Sequence, residues 1–361
     1  MKICYLGDGG SVHNHFMVEW FLRRGHEILF LTDDPGSFPF TQVMQVIAPR
    51  HGWGPLRHLY AALQVRRWIQ RWAPDVVHAH NVTGYGYWGA LSGFTPLVLT
   101  AWGSDLNILA DQNPLVRFAV SHALRKADFI TGDAEALCRK ARELSGEKID
   151  VRLFQWGIDF AQFQHEPDDE YRRWIRGGRD LVFISTRRLR AVYNIDVIIR
   201  AFKKALSHLP SSRLILVGDD ADKQKLEELT GELDVGDHVL FTGWLSQDKL
   251  IDALLSSDVF LSVPSSDSTA LSLLEAFAAR LAVIVSDLPA NHEWIEEGRN
   301  GLFSAPGDED RLAAAMIEIA RDSARIAEWG RINRRIAEER GDREKEMQKL
   351  EAWYFKTVSS G

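Results

Sequence analysis

The sequence predicts an α/β protein of two doubly wound domains, each with a parallel sheet. Strand and helix patterns alternate along the chain, the alternation runs twice, and a polar seam separates the two runs. Alternating βα units bury a parallel sheet under helices on both faces. At 361 residues the chain is also too long for one ordinary core.

In the first run, apolar strand patterns fall at Lys2–Leu6, Glu27–Leu31, Gln42–Ile47, Asp75–His78, Leu97–Thr100, Phe129–Thr131 and Asp150–Leu153. Helical spacing of apolar residues marks His13–Arg24, Leu56–Trp72, Pro114–Lys126 and Ala134–Leu144. Trp156-Gly-Ile-Asp159 and the polar run Gln164–Glu170 read as the hinge. The second run predicts strands Leu181–Ser185, Arg213–Val217, His238–Phe241, Asp258–Val263 and Leu281–Val285. Helices Ile195–Leu206, Ala221–Thr230, Gln247–Leu255 and Leu271–Ala279 alternate with them. Charged helices follow from Glu309, ending in Trp353-Tyr-Phe355, where Trp353 and Phe355 are the apolar candidates for docking the tail. The expected division is 1–163, 164–340, and a terminal helix over 341–361 that crosses back to the first domain. In such folds a ligand lies at the carboxyl ends of the strands, here in a crevice between the domains.

Composition narrows the function. No apolar run approaches the roughly 20 residues of a membrane span, and the N-terminus enters a strand rather than a signal peptide. Cys4 and Cys138 sit far apart in apolar contexts, as reduced core thiols of a cytoplasmic protein would. No Cys/His pattern has zinc spacing, so no metal is expected. The net charge of -7 offers nucleic acid no general attraction. It is unevenly spread: residues 1–165 hold 16 Lys+Arg against 15 Asp+Glu, for +1, and residues 166–361 hold 27 against 35, for -8. Nine of the 12 histidines, His51 among them, also lie in the first part, the friendlier face for an anionic partner.

The most informative segment runs from Ser265 to Val285. Pro264 ends a strand, a polar loop follows, and Leu271, Leu274, Phe277 and Ala278 define an amphipathic helix. Asp267 precedes the helix and Glu275 lies two turns into it. Between them, first-turn amides around Ala270, Leu271 and Ser272, after Ser268 and Thr269, form a ready anion site. A cradle flanked by two carboxylates suits a sugar nucleotide, with diphosphate on the amides and hydroxyl groups on the acids. The plain alternative is a buried βα unit with a Ser/Thr-rich cap.

This segment resembles the Glu-x7-Glu signature of the retaining GT-B glycosyltransferases of family 4, with Asp267 at the first acid. The resemblance implies that Glu275 holds the nucleotide ribose and that Asp267 faces the donor sugar. Ser185-Thr-Arg-Arg-Leu-Arg-Ala-Val-Tyr-Asn194 resembles the family's diphosphate clamp, leaving Arg187 or Arg188 as the clamping arginine. Tyr193 stands where the family has lysine, with a neutral hydroxyl in place of a charge. Val217-Gly-Asp219 and Phe241-Thr-Gly-Trp-Leu245 match two donor-site loops, placing Gly218, Gly243 and Trp244 near the nucleotide.

In the first domain, Gly7-Asp-Gly-Gly10 resembles the family's Gly-rich loop. Gly9 and Gly10 would there approach donor phosphates, the alternative being a tight βα turn. Val12 breaks the dinucleotide fingerprint. His13, opening the next helix, is an acceptor-site candidate; for His15, a surface capping role is the alternative. Leu99-Thr-Ala-Trp-Gly-Ser-Asp105 resembles a segment in which the family carries His at the position of Trp102. Indole neither accepts nor titrates, so Trp102 stacks or shapes rather than acting as a base. Asp105 either binds an acceptor hydroxyl or caps the next helix.

The basic, aromatic stretch Arg50–Trp72 (Trp53, Arg57, His58, Tyr60, Arg66, Arg67, Trp68, Arg71 and Trp72) admits two readings. It lies on an anionic membrane as an interfacial helix, or packs in the core through Leu59, Leu63 and Ile69 with its arginines solvated. The core reading is preferred.

The resemblance thus implies a metal-independent, retaining hexosyl transfer from a nucleoside diphosphate sugar, UDP or GDP, to a hydroxyl on a glycan, a lipid-linked glycan or a small molecule. Such an enzyme works in the cytoplasm, in peripheral contact with the inner membrane face if the acceptor is a lipid. The rival readings are a non-catalytic sugar-nucleotide-binding subunit and a sugar-nucleotide epimerase.

Overall fold

A computed structural model describes residues 1–47, 54–146 and 149–360. The chain divides into two compact units, Met1–Trp156 with Glu344–Gly361, and Gly157–Arg343. The crossings therefore lie after Trp156 and after Arg343, against expected boundaries at 163 and 340.

The first unit is a seven-stranded parallel sheet of Lys2–Leu6 (β1), Glu27–Thr32 (β2), Met44–Val46 (β3), Val76–His80 (β4), Leu97–Thr100 (β5), Phe129–Gly132 (β6) and Asp150–Leu153 (β7). Its order is β3-β2-β1-β4-β5-β6-β7. The second has six strands, Leu181–Ser185 (β8), Ser212–Val217 (β9), Val239–Gly243 (β10), Val259–Ser262 (β11), Ala282–Ser286 (β12) and Gly301–Ser304 (β13), in the order β10-β9-β8-β11-β12-β13. β13 lies beyond the expected strands. Its four-residue length and leading glycine give too short an apolar run to stand out from a loop. In each sheet the order reverses between the first and fourth strands of the unit, and the loops leaving those strands open a switch point for ligands.

The inner strands are almost wholly buried, as apolar runs covered on both faces should be, whereas the edge strands β3, β7 and β10 are partly exposed. Tyr5, Phe21, Phe30, Phe129 and Tyr354 fill one side of the first sheet. Tyr354 belongs to the terminal helix Arg343–Ser360, which buries Met347, Leu350 and Tyr354 against this unit. Of the two aromatics expected to dock the tail, Trp353 is half-buried but Phe355 is exposed, because the inward stripe runs 347, 350, 354.

A second correction concerns helix Gly54–Trp72. Its core-facing residues are Ala61, Ala62, Val65 and Ile69, whereas Leu59 and Leu63 are exposed. Small residues let the helix approach its neighbours closely, and the larger leucines fall on the opposite arc. Arg50, His51 and Trp53 lie outside the described residues.

Candidate active site

In the second unit, the loops after β8 and β11 supply the charged cluster. Arg187 follows Ser185 by two residues and is largely buried. Its Nη2 donates to Asp267 Oδ2 at 2.7 Å and its Nη1 to Ser272 Oγ at 2.8 Å. The Tyr193 ring lies 4.5 Å from the guanidinium carbon. Tyr193 is held there because Asn194, at φ 53°, donates to Val263 O at 2.8 Å and to Ser265 Oγ at 2.9 Å. Tyrosine at the lysine position is thus a platform for the arginine rather than a second cation.

Helix Leu271–Ala278 begins in the same cluster. Its N-cap is Ala270, which supplies no capping side chain. The nearby hydroxyl of Thr269 accepts from Trp294 Nε1 at 3.1 Å, and Asp267 accepts from its neighbour Ser268 N at 3.0 Å and from Arg187. Leu273 is the first amide to bond back, to Ala270 O, so the amides of Leu271 and Ser272 precede the helical ladder. An alanine-capped helix start beside an arginine is an anion site in waiting.

Glu275, one turn further on, is buried, with Gln247 Nε2 3.4 Å from its Oε1. Burial pushes its carboxyl up to about 7 against the pull of Gln247, Arg343 and Arg187. Burial raises Asp267 too, opposed mainly by the Arg187 charge.

The adjacent arginines diverge. Arg188 turns outward, its Nη2 2.6 Å from Asp220 Oδ1, with Arg190 Nε 3.4 Å from the same oxygen. Arg187 therefore faces the Asp267 cluster and Arg188 does not; consecutive residues leaving a strand point to opposite sides. Gly218 and Gly243 adopt positive φ and join by Gly218 N to Gly243 O at 3.0 Å. A Cβ on Gly218 would lie 3.4 Å from Leu189 and 3.9 Å from Arg187 O, placing this loop beside Arg187. Trp244 next to it is 77% exposed, a free indole surface.

In the first unit, the loops after β1, β2, β4 and β5 enclose a cavity of ≈ 590 Å³. Asp8, Asp33, Arg57, His80, Tyr85 and Trp102 line it. His80, the last residue of β4, is fully buried, and among the described residues neither ring nitrogen has a partner; Trp102 Nε1 is buried and equally unmatched there. The His80 and Trp102 rings stand edge to face at 6.2 Å. His13 stacks near Trp156 at 4.5 Å and meets Trp102 at 5.5 Å. Burial, and then the neighbouring His13, lower the His80 pKa to about 3, so its imidazole is neutral. Arg57 pairs with Asp33.

Two expectations fail here. Asp105 is fully buried and accepts from Val82 N at 2.9 Å, Trp102 N at 3.1 Å and Leu106 N at 3.0 Å. Its oxygens are committed to the backbone, so it braces the β4 and β5 loops. Gly9 N and Gly10 N are likewise committed, to Asp34 O at 2.8 Å and Asp8 Oδ1 at 2.7 Å. Glycine is required because a Cβ at Gly9 would strike Pro35 O, which makes a packed turn rather than a phosphate cradle. The residue that the sequence reading overlooked is His80. Its signal was its place at the carboxyl end of Asp75-Val-Val-His-Ala-His80, a strand that borders the switch point. Among the described residues, no group of His, Cys, Asp or Glu is placed to hold a metal ion, and no helix is long and apolar enough to cross a membrane.

Two parallel, doubly wound units, each with polar groups gathered at the switch point, define a two-domain, Rossmann-like α/β protein. The glycosyl transferases group 1 model matches residues 168–336, and the glycosyl transferase 4-like model matches residues 2–134. The chain belongs to this glycosyltransferase family and has the GT-B fold. It is 24% identical over 369 residues to the N-acetyl-alpha-D-glucosaminyl L-malate synthase of Bacillus anthracis, covering 98% of this chain and 95% of that protein. It is 27% identical to the phosphatidyl-myo-inositol mannosyltransferase of Mycolicibacterium smegmatis, over 87% of this chain and 82% of that one. The crystal structure of Anabaena Alr3699/HepE in complex with UDP superposes with a TM-score of 0.83 at 18% identity, covering 100% of both chains.

Proposed function

We propose that the protein is a retaining hexosyltransferase that takes a sugar from a UDP or GDP sugar and places it on a hydroxyl acceptor. The observation that carries this reading is the cluster of Arg187, Asp267, Ser272 and Glu275 around a helix start that no side chain caps. In the proposal the diphosphate takes the amides of Leu271 and Ser272 with the Arg187 guanidinium. Arg187 and the helix dipole then oppose the charge that develops as the glycosyl–phosphate bond breaks. Glu275 accepts the ribose hydroxyls, Asp267 positions donor hydroxyls, and Gly218, Gly243 and Trp244 border the base. Uridine is favoured by the fold neighbour solved with UDP.

The cavity of the first unit holds the acceptor, with His13, His80 and Trp102 against its hydroxyl-bearing part. Retention follows if the leaving phosphate itself takes the acceptor proton as the new glycosidic bond forms on the same face. Neutral His80, with both nitrogens unmatched, orients the acceptor and leaves the proton to the phosphate. The enzyme works on cytoplasmic sugar nucleotides, and a lipid-borne acceptor would bring it to the inner membrane face.

The test is turnover. Incubated with UDP, GDP and ADP sugars, the protein should slowly hydrolyse one donor and retain that activity in a chelator. Arg187→Ala should lower it at least a hundredfold, as losing a transition-state charge contact does, and Glu275→Ala should lower it by weakening the hold on the donor. Full activity in Glu275→Ala would show that the donor site is misplaced. Glu275-dependent binding without any turnover would favour the non-catalytic subunit.

A further inference from the structure

Three helices of the first unit form one face. Gly54–Trp72 packs on Tyr87–Ser92, which packs on Pro114–Lys126. The first carries Arg57, Arg66, Arg67 and Arg71; the last carries Arg117, Arg125 and Lys126; the middle one carries no charge. None of the three contains an aspartate or glutamate, although acids outnumber bases in the whole chain, 50 to 43. Arg57 is paired with Asp33 and Arg117 with Asp111. Arg66, Arg67, Arg71, Arg125 and Lys126 are exposed and, among the described residues, have no acidic partner.

The same arcs present large apolar side chains to water. Leu59, Tyr60, Leu63, Leu115 and Phe118 are 47% to 78% exposed. At 100° per residue, Leu59, Leu63 and Arg67 share one arc of their helix, and Leu115, Phe118, His122 and Lys126 share one arc of theirs. A chain of rings joins the two arcs. His58 lies 6.3 Å from Tyr87, Tyr87 6.3 Å from His122, and His122 stacks on Phe118 at 6.4 Å. His58 also lines the cavity, so the face runs to its wall.

We infer that this face docks on an anionic phospholipid surface, its leucines and Phe118 entering the headgroup boundary and its unpaired cations meeting lipid phosphates. The charge pattern selects the occupant. A second copy would oppose like charges, which costs free energy. Nucleic acid would leave the aliphatic side chains without partners, whereas the mix of apolar tips and cations matches an interfacial surface. The inference extends the proposed function by giving the cavity access to a membrane-borne acceptor, but the docking itself needs neither donor nor turnover.

Co-sedimentation with vesicles tests it on the full chain without sugar nucleotide. Binding should be strong to phosphatidylcholine mixed with phosphatidylglycerol, weak to phosphatidylcholine alone, and should fall with added salt. Arg66→Gln with Arg67→Gln should weaken binding by about thirtyfold, at about 1 kcal/mol for each cation. Leu63→Ser with Phe118→Ser should weaken it too, leaving donor hydrolysis and the circular dichroism spectrum unchanged, since both side chains are exposed. Equal binding to neutral and anionic vesicles, binding to neither, or anionic binding untouched by both double variants would each overturn the inference. Loss of donor hydrolysis in the wild type with vesicle binding intact would instead count against the transferase reading alone.

Discussion

Glu275 shows how much one buried acid decides. The folded protein holds its proton up to about pH 7, whereas the unfolded chain releases it near its ordinary 4.5. Between those values the folded state binds more protons, so this group's contribution to stability falls as pH rises through that window. Glu275→Gln should flatten that slope and gain stability relative to wild type at pH 8, measured by urea melts at pH 5 and pH 8. The same ionisation should gate binding, because only the carboxylate accepts from two ribose hydroxyls at once. Affinity for an intact UDP sugar, whose own charge is constant here, should weaken as pH drops below about 7, and calorimetry on Glu275→Gln should find that dependence gone. The spacing of Asp267 and Glu275 was legible because one loop and one helix hold both. Arg187 against Arg188 was not, since neighbouring residues of one type differ only in direction. Asp105 was left open for a related reason: a polar residue in a ligand-type loop looks the same whether it faces a hydroxyl or three backbone amides.

Among elements, the strands were largely readable, because apolar runs between turn residues report burial directly. Which face of a helix is buried was less so. In Gly54–Trp72, hydrophobicity points to the leucines, whereas the packing uses alanines and Val65 where a neighbouring helix comes close. Close approach is also the theme at Gly330, in helix Ser323–Arg340. A Cβ there would collide with the carbonyl of Arg280, itself held at φ 61° after helix Leu271–Ala278. Gly330→Ala should gain some helix propensity and lose far more to overpacking, a net destabilisation of about 1–3 kcal/mol. Because the displaced segment follows the donor helix, the variant should also bind UDP more weakly, whereas Gly231→Ala, in a helix with open space around it, should gain the helix propensity alone and leave UDP binding unchanged.

At the scale of the whole chain, the first unit is closed by helix Arg343–Ser360, which returns to it from beyond the second unit. Tyr354 enters its core fully buried, bonded to His78 Nδ1 and 3.4 Å from the Tyr5 hydroxyl. His78 in turn reaches Thr100 Oγ1 at 2.6 Å, and Thr100 reaches Thr131 Oγ1 at 2.7 Å, so one polar chain crosses β4, β5 and β6 beneath the terminal helix. The sequence placed a helix there, but the inward residue depends on a register that only the partner surface sets. Burial keeps His78 neutral, so its Nδ1 needs this neighbour in place of water. Tyr354→Phe keeps the ring's volume and strands the His78 nitrogen and the Tyr5 hydroxyl, at a cost of about 1–3 kcal/mol. That loss belongs to one unit of a two-unit chain, for which a single melting temperature is poorly defined. Hydrogen exchange resolves it: amides of β1, β4 and β5 should lose protection in Tyr354→Phe, while those of β8, β11 and β12 keep theirs. Removing residues 344–361 should extend the loss across the first sheet, since Met347 and Leu350 leave with the tyrosine, and still spare UDP binding by the second unit. Equal loss of protection in both sheets would show that the two units unfold as one and that the tail stabilises the whole chain.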